Sequence, residues 1–257
     1  MNETGMGLIT KKAVDVEKLF RNCIGSPVVN YKANQPGANL QYLVCHDGLT
    51  LHDAVAHNCR LNDSDAAQKA EITKRMKLGN FFALTSQGIA FLYNGQESGR
   101  TKPNVNHVKN ESVGDFVRNS YDSSDNINQF IWTLDAENAG LLEYTKGLAA
   151  LRAQFDVFRI GDAAKLAKNA KLLKIKDDSS LIFGYTIKNG DGTWIIAVNA
   201  SKEAAELPTG LNMAKAVVYA DADKADVNGI AAPTGVTMGK KAVKLEPLMA
   251  TVIRINK

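Results

Sequence analysis

The sequence predicts an α/β unit of the kind that builds (β/α)8 barrels over residues 1–160, followed by an all-β antiparallel sandwich over residues 161–257. Two apolar runs, Leu40 to Cys45 and Gly88 to Tyr93, each stop abruptly at polar groups, His46-Asp47 and Asn94 to Glu97. The stretch between them has helical periodicity, so the runs read as two strands of one β-α-β unit with chemistry at their carboxyl ends. That is where barrels gather their catalytic loops. From about Lys171 the pattern changes to short strands separated by turn residues, which predicts a small antiparallel sandwich.

Composition supports a folded chain of ordinary kind. Hydrophobic residues make up 45% of the 257 and charged residues 23%, enough apolar surface for a substantial core. The formal charge of +4 comes from scattered Lys and Arg without a basic block or interleaved aromatics, so no nucleic-acid partner is indicated. Cys23, Cys45 and Cys59 are too few and too irregular for a disulfide framework or a zinc site, and Cys45 reads as a small core residue inside its strand. No run of 18 apolar residues and no signal-peptide stretch occurs, so neither a membrane span nor an export signal is expected within these residues.

The elements follow in order. Periodicity is poor from Met1 to about Asn39, where only a short helix near Val14 to Phe20 is expected. After the first strand, Thr50 or Asp53 is placed to cap a short helix. A longer one starts near Ser64 or Asp65, with Ile72, Met76, Phe81 and Phe82 on its apolar face up to Leu84. Glu97 to Asp135 is a long polar loop, of a length that in a compact domain is either functional or disordered. Leu141, Leu148, Leu151 and Phe155 mark one face of the next helix. The boundary is placed near Ile160. Beyond it, strands are predicted at Leu181 to Ile187, Thr193 to Asn199, Ala216 to Tyr219, Ala242 to Leu245 and Leu248 to Ile255. The first two are joined by an Asn189-Gly190-Asp191-Gly192 hairpin. Leu207 to Gly210 is expected to be a turn.

Three segments in order resemble a known family. Cys45-His46-Asp47 with Leu49-Thr50-Leu51 and Asp53 is similar to the fourth signature region of the α-amylase superfamily, in the form carried by pullulanases and related debranching enzymes. Gly88 to Glu97 with Gly99-Arg100-Thr101-Lys102 resembles the last barrel strand of that group. Asn119 to Asp125 with Ile127, Asn128 and Trp132 resembles the loop that follows it in Gram-positive pullulanases. The resemblance runs on through Gly147-Leu148 and Leu151-Arg152 into the terminal sheet domain. It implies an α-glucan substrate, cleavage of α-1,6-glucosidic bonds and a secreted or cell-surface protein.

By that resemblance Asp47 stabilises the transition state and His46 hydrogen-bonds the same sugar. A fixed acceptor strengthens its bonds as the ring gains oxocarbenium character. Read as residues alone, Asp47 is better taken as a cap of the turn after the strand and His46 as a satisfied buried histidine. Arg100, Asn119 and Tyr121 are candidate substrate contacts, Tyr121 offering an aromatic face for a sugar and the other two directional hydrogen bonds; a solvated loop tip is the alternative. Glu97 is expected to hold a neighbouring backbone group or a cation at the strand end, and His52 and His57 to be surface or packing residues. No cofactor is expected. Asp122, Asp125 and Asn126 offer hard oxygens suited to calcium, but their spacing does not match an EF-hand loop and a plain turn is the better reading.

Retaining glycoside hydrolysis needs two carboxyl groups about 5 Å apart. In the resembling family they end the fourth and fifth barrel strands, and nothing like the Arg-x-Asp nucleophile signature occurs between Met1 and Asn39. The expectation is therefore the last strands and helices of a (β/α)8 barrel, a barrel remnant, plus the terminal sandwich. Such a chain carries part of the substrate site without nucleophile or general acid, and takes an upstream barrel segment or a complementing chain as partner. The alternative is a non-catalytic α-glucan-binding or regulatory protein that reuses the half-site.

Overall fold

A computed structural model describes residues 7–27, 35–105, 111–176, 181–190 and 192–256. Asp191, the third residue of the expected hairpin turn, lies outside them. The helix α1 (Val16–Cys23) starts at Asp15, whose carboxylate accepts the amides of Glu17 and Lys18 at 3.1 Å, as a good N-cap does. The strand β1 (Leu40–Gln41) pairs in parallel with β2 (Ile89–Ala90), Leu40 opposite Ile89 and Gln41 opposite Ala90. Between them come α2 (Leu51–Cys59) and α3 (Ala66–Thr85), so the expected β-α-β connection is present.

Caps place both helices. Thr50, not Asp53, is the N-cap of α2, its hydroxyl accepting the Asp53 amide at 3.2 Å, and Asp65 caps α3 by accepting the Gln68 amide at 2.9 Å. The long helix buries residues on several sides because it packs against α2, against the later helix Ala136–Gln154 and against the last strand of the large sheet. Gly79 allows a close approach, since a Cβ there would meet the Leu43 and Leu51 side chains at 2.8 and 3.0 Å.

The polar loop after β2 is more ordered than its composition suggests. It contains a two-stranded ribbon, β3 (Ser112–Val113) with β4 (Phe116–Val117), and a single helical turn, α4 (Asp125–Asn128). The helix α5 (Ala136–Gln154) follows, capped by Asp135, and a short α6 (Ala163–Asn169) leads into the sheets.

The remaining strands are β5 (Ala170–Leu172), β6 (Ile182–Asn189), β7 (Gly192–Asn199), β8 (Ala205–Pro208), β9 (Ala216–Ala220), β10 (Ala225–Ile230), β11 (Val236–Met238), β12 (Ala242–Leu245) and β13 (Met249–Asn256). They form a six-stranded sheet in the order β10-β9-β13-β7-β6-β5 and a three-stranded sheet in the order β11-β12-β8, with every pairing antiparallel. Asn189 pairs with Gly192 across the expected two-residue turn, and Gly190 supplies its positive φ of 57°. Leu207 and Pro208, expected in a turn, belong instead to β8, whose partner β12 draws them into the small sheet.

The six-stranded sheet is buried on both faces. Ile195, Ala197, Val218 and Ile253 meet Leu207, Val236, Val243 and Leu245 of the small sheet. The alternate residues Trp194, Ile196, Val198, Tyr219 and Val252 share a second core with Ile72, Phe81, Leu141, Leu148 and Val55 from the helices. The molecule is thus three layers deep, helices over a large sheet over a small one, and the second core runs without a break between the helical half and the sheets.

Candidate functional site

Two strand ends make the site. Because β1 and β2 run in parallel and in register, the chain leaves both at the same end. His46-Asp47 thus stand on the segment that follows β1, and Tyr93-Asn94 on the one that follows β2. The runs are less strand-like than expected. Only two residues of each pair, and Leu40 and Tyr42 are half exposed, because each strand has one partner among the described residues. Cys45 is not a core residue: it is half-buried, and its thiol lies 3.8 Å from the Asp47 carbonyl. The buried thiols are Cys23 and Cys59, both pushed to higher pKa by burial, Cys23 to about 12.

His46 and Asp47 are open to solvent, their side chains 80% and 79% exposed, with His46 Nε2 3.6 Å from Asp47 Oδ2. Neither is a buried packing residue, and α2 is capped by Thr50, so capping does not employ Asp47. On the segment that follows β2, Arg100 acts as a strut. Its guanidinium stacks over the Tyr93 ring at 5.2 Å, while Nη1 donates to the Tyr93 hydroxyl and Nη2 to the Asn128 carbonyl, each at 3.0 Å. Asn128 in turn donates from its side-chain amide to the carbonyls of Ser120 at 2.5 Å and Ser123 at 3.0 Å. This chain of contacts fixes the loop that carries Asn119, half-buried, and Tyr121, 90% exposed, against the end of β2. Glu97 accepts the Gly95 amide at 3.0 Å, holding backbone at the turn where Gly95 has φ 90°. Asp122, Asp125 and Asn126 are exposed around the start of α4.

Below the exposed pair lies an ionic cluster that sequence reasoning missed. His52, expected at the surface or in packing, is buried with Nδ1 3.0 Å from Asp53 Oδ1 and Nε2 2.8 Å from Asp63 Oδ2. Burial opposes a charge on this ring, but hydrogen bonds to the two carboxylates outweigh it and raise its pKa to about 9. His52 is accordingly an imidazolium at neutral pH. The hydrogen bond from His52 in turn lowers the pKa of Asp63. Asp53 is fully buried and also accepts the Thr101 hydroxyl and the Lys102 amide, the latter at 2.9 Å. The only legible signal was Asp53 following a cap residue by three.

A cavity of about 680 Å³ lies behind this cluster, lined by His52, His57, Arg60, Asp63, Asp115 and Phe116 among others. Neither His46 nor Asp47 borders it, so the exposed strand ends and this cavity are separate features of the surface. Among the described residues, no group of three or more His, Cys, Asp or Glu side chains is arranged to hold a metal ion, and no helix is long and apolar enough to cross a membrane.

Comparisons with known proteins show what the chain is similar to. Residues 169–256 match the family described as SpuA C-terminal. Over 99% of its length the chain is 35% identical to Pullulanase A of Streptococcus pneumoniae, of which the matched part is 23%. The chain therefore spans about a quarter of the length of that relative. Its fold superposes with a TM-score of 0.93 and 34% identity on the catalytic module of the multi-modular glycogen-degrading pneumococcal virulence factor SpuA in complex with an inhibitor. That match covers 100% of this chain and 41% of the module. The Group B Streptococcus pullulanase SAP in complex with maltotetraose matches with a TM-score of 0.93 and 30% identity, over 100% of this chain and 37% of SAP.

Proposed function

We propose that this chain, similar along nearly its whole length to a C-terminal portion of the streptococcal pullulanases, supplies part of the substrate site of an α-1,6-glucan debranching hydrolase. In this reading β1 and β2 are the last strands of a (β/α)8 barrel, residues 1–160 its terminal part, and residues 161–257 the sandwich that braces it. The nucleophile and general acid come from a barrel segment or chain outside these residues. Asp47 stabilises the oxocarbenium-like transition state, His46 bonds the same sugar, and Arg100, Asn119 and Tyr121 form the flanking glucan contacts, Arg100 chiefly by holding the loop.

One observation carries the proposal. Polar or aromatic groups from three stretches of sequence, His46 with Asp47, Tyr93, and Tyr121, stand on the segments at one end of a parallel strand pair, and Arg100 and Asn128 tie the Tyr121 loop to Tyr93. Directional acceptors beside an exposed aromatic ring suit a sugar, whose hydroxyls need the first and whose C–H face stacks on the second. The solved SAP relative, which contains maltotetraose, supports α-glucan as the ligand class.

Kinetics of Asp47→Asn test the role, in a hydrolase assembled from this chain and the segment that carries the catalytic carboxyls. Loss of a charge aimed at developing positive charge should lower kcat at least about a hundredfold, on the order of 3 kcal/mol, with a smaller change in KM. Near-normal kcat would remove the role from Asp47. A second reading, glucan binding without hydrolysis, draws on Glu97: this carboxylate at the strand ends is occupied by the Gly95 amide. Under that reading the assembled protein binds glucan and Asp47→Asn alters affinity alone.

A further inference from the structure

Lys102 lies in a polar loop sequence yet is 0% exposed. Taking an ammonium group out of water is costly unless its donors are satisfied, and the acceptors here are informative. Its Nζ donates to the Gly48 carbonyl at 2.6 Å and to the Arg118 carbonyl at 2.8 Å. Gly48 directly follows Asp47, and Arg118 directly precedes Asn119. One buried cation therefore holds the two loops that carry Asp47 on one side and Asn119 and Tyr121 on the other. The lysine is itself fixed from behind. Its amide donates to the buried Asp53 carboxylate at 2.9 Å, and its carbonyl accepts the Val117 amide at 2.8 Å. Gly48, with φ 82°, is buried at this point, so the bend that turns Asp47 outward is made where the lysine grips.

We propose that Lys102 is a positioning residue that locks the Asp47 loop and the Asn119–Tyr121 loop into one unit, setting the spacing between the two halves of the sugar site. The proposal rests on the glucan reading for its purpose but not for its geometry. Point-charge donation to two carbonyls in different loops is something Gln cannot reproduce, since its amide is planar, neutral and shorter than the lysine stem. The two loops then move independently.

Hydrogen exchange on the full chain, followed by mass spectrometry of peptides covering 44–50 and 116–122, tests this. In Lys102→Gln both peptides should exchange about tenfold faster while peptides from β6 and β7 are unchanged, and Lys102→Arg, which keeps the charge and can donate twice, should restore part of the protection. If Lys102→Gln does not fold, the wild-type chain in sub-denaturing urea gives the same test: the two peptides should open together, before the sheet does. Loosening of only one loop, or wild-type loops that open at different urea concentrations, would overturn the proposal. A parallel maltotetraose titration separates the two readings: coupled loosening with no sugar response in the wild type supports the positioning role and counts against the glucan site alone.

Discussion

The His52 ring shows how a single residue sets the pH response of the site's base. Its pKa is raised from 6.5 in the unfolded chain to about 9 in the folded one, so the stability it contributes is fully present below pH 6.5 and is lost as pH rises through 9. Asp63 has the opposite sign. Its pKa is lowered, so its contribution is present above the unfolded value of 3.8 and is lost as pH falls below that. The pair is strongest between roughly pH 4 and 6.5, a window set by those two shifts. Urea unfolding should show stability falling by about 2 kcal/mol between pH 6 and 8.5, and His52→Gln should flatten that slope. An equal slope in the variant would mean that other groups carry it. None of this was legible in the sequence, where His52 has an apolar neighbour and an acidic one and reads as ordinary. Its partner Asp63 lies 11 residues on, and Thr101 and Lys102, which complete the cluster around Asp53, come from the far side of the next strand. Asp47 and His46 were legible, because an apolar run ending in two functional groups is a local pattern.

At the level of elements, the helices and the strand pair are joined by Arg152. From α5 its Nη1 donates to the carbonyls of Leu84, Ser86 and Phe158 at 3.0, 2.7 and 3.0 Å, and its Nη2 to the Gly88 carbonyl at 2.5 Å. Leu84 and Ser86 are at the C-terminal end of α3, Gly88 is the entrance to β2 and Phe158 lies just after α5, so one guanidinium ties the turn that sets β2 beside β1 to the end of α5. Arg152→Met should cost on the order of 3 kcal/mol, since it strands several carbonyls in a partly buried place, and the loss should appear in denaturant midpoint without a change in slope. A loss below about 1 kcal/mol would show that water replaces the guanidinium without penalty. Element boundaries in the sequence were clearest where one strong local signal existed. Asp65 and Thr50 cap their helices, and β6, β7 and β13 are dense in apolar residues because the sheet is buried on both faces. The missed elements lack such signals. β8, β10 and β11 are short and contain Pro208, Asn228, Gly229 or Thr237, and β10 pairs with β9 through a register shift. β1 and β2 came out shorter than their apolar runs because a one-sided pairing orders only the residues beside the partner.

For the whole molecule, the three-layer arrangement means that the large sheet depends on the helices as much as on the small sheet. Phe155 and Phe158 pack against Trp194, tilted and edge-on, at 4.8 and 5.8 Å between ring centroids, Phe82 lies 6.0 Å from Phe183, and Phe20 lies 5.7 Å from Tyr185. Residues 161–257 expressed alone should therefore expose that aromatic face, bind more hydrophobic dye than the full chain and self-associate more strongly. A monomeric, dye-silent piece with the full chain's thermal stability would show that the sheets close without the helices. The change from helical to strand patterning near residue 160 was visible in the sequence, but the core that crosses it was not, since amphipathic patterns show which faces seek burial and not which partners meet them. The account's central claim is that these layers hold an α-glucan site at the ends of β1 and β2. Titration of the isotope-labelled chain with maltotetraose, followed by amide NMR, tests it most directly. The account predicts shifts confined to residues 46–49, 93–100 and 119–128, reduced in Asp47→Asn and Tyr121→Ala. No response at millimolar sugar, or shifts centred on the cavity behind His52, would contradict it.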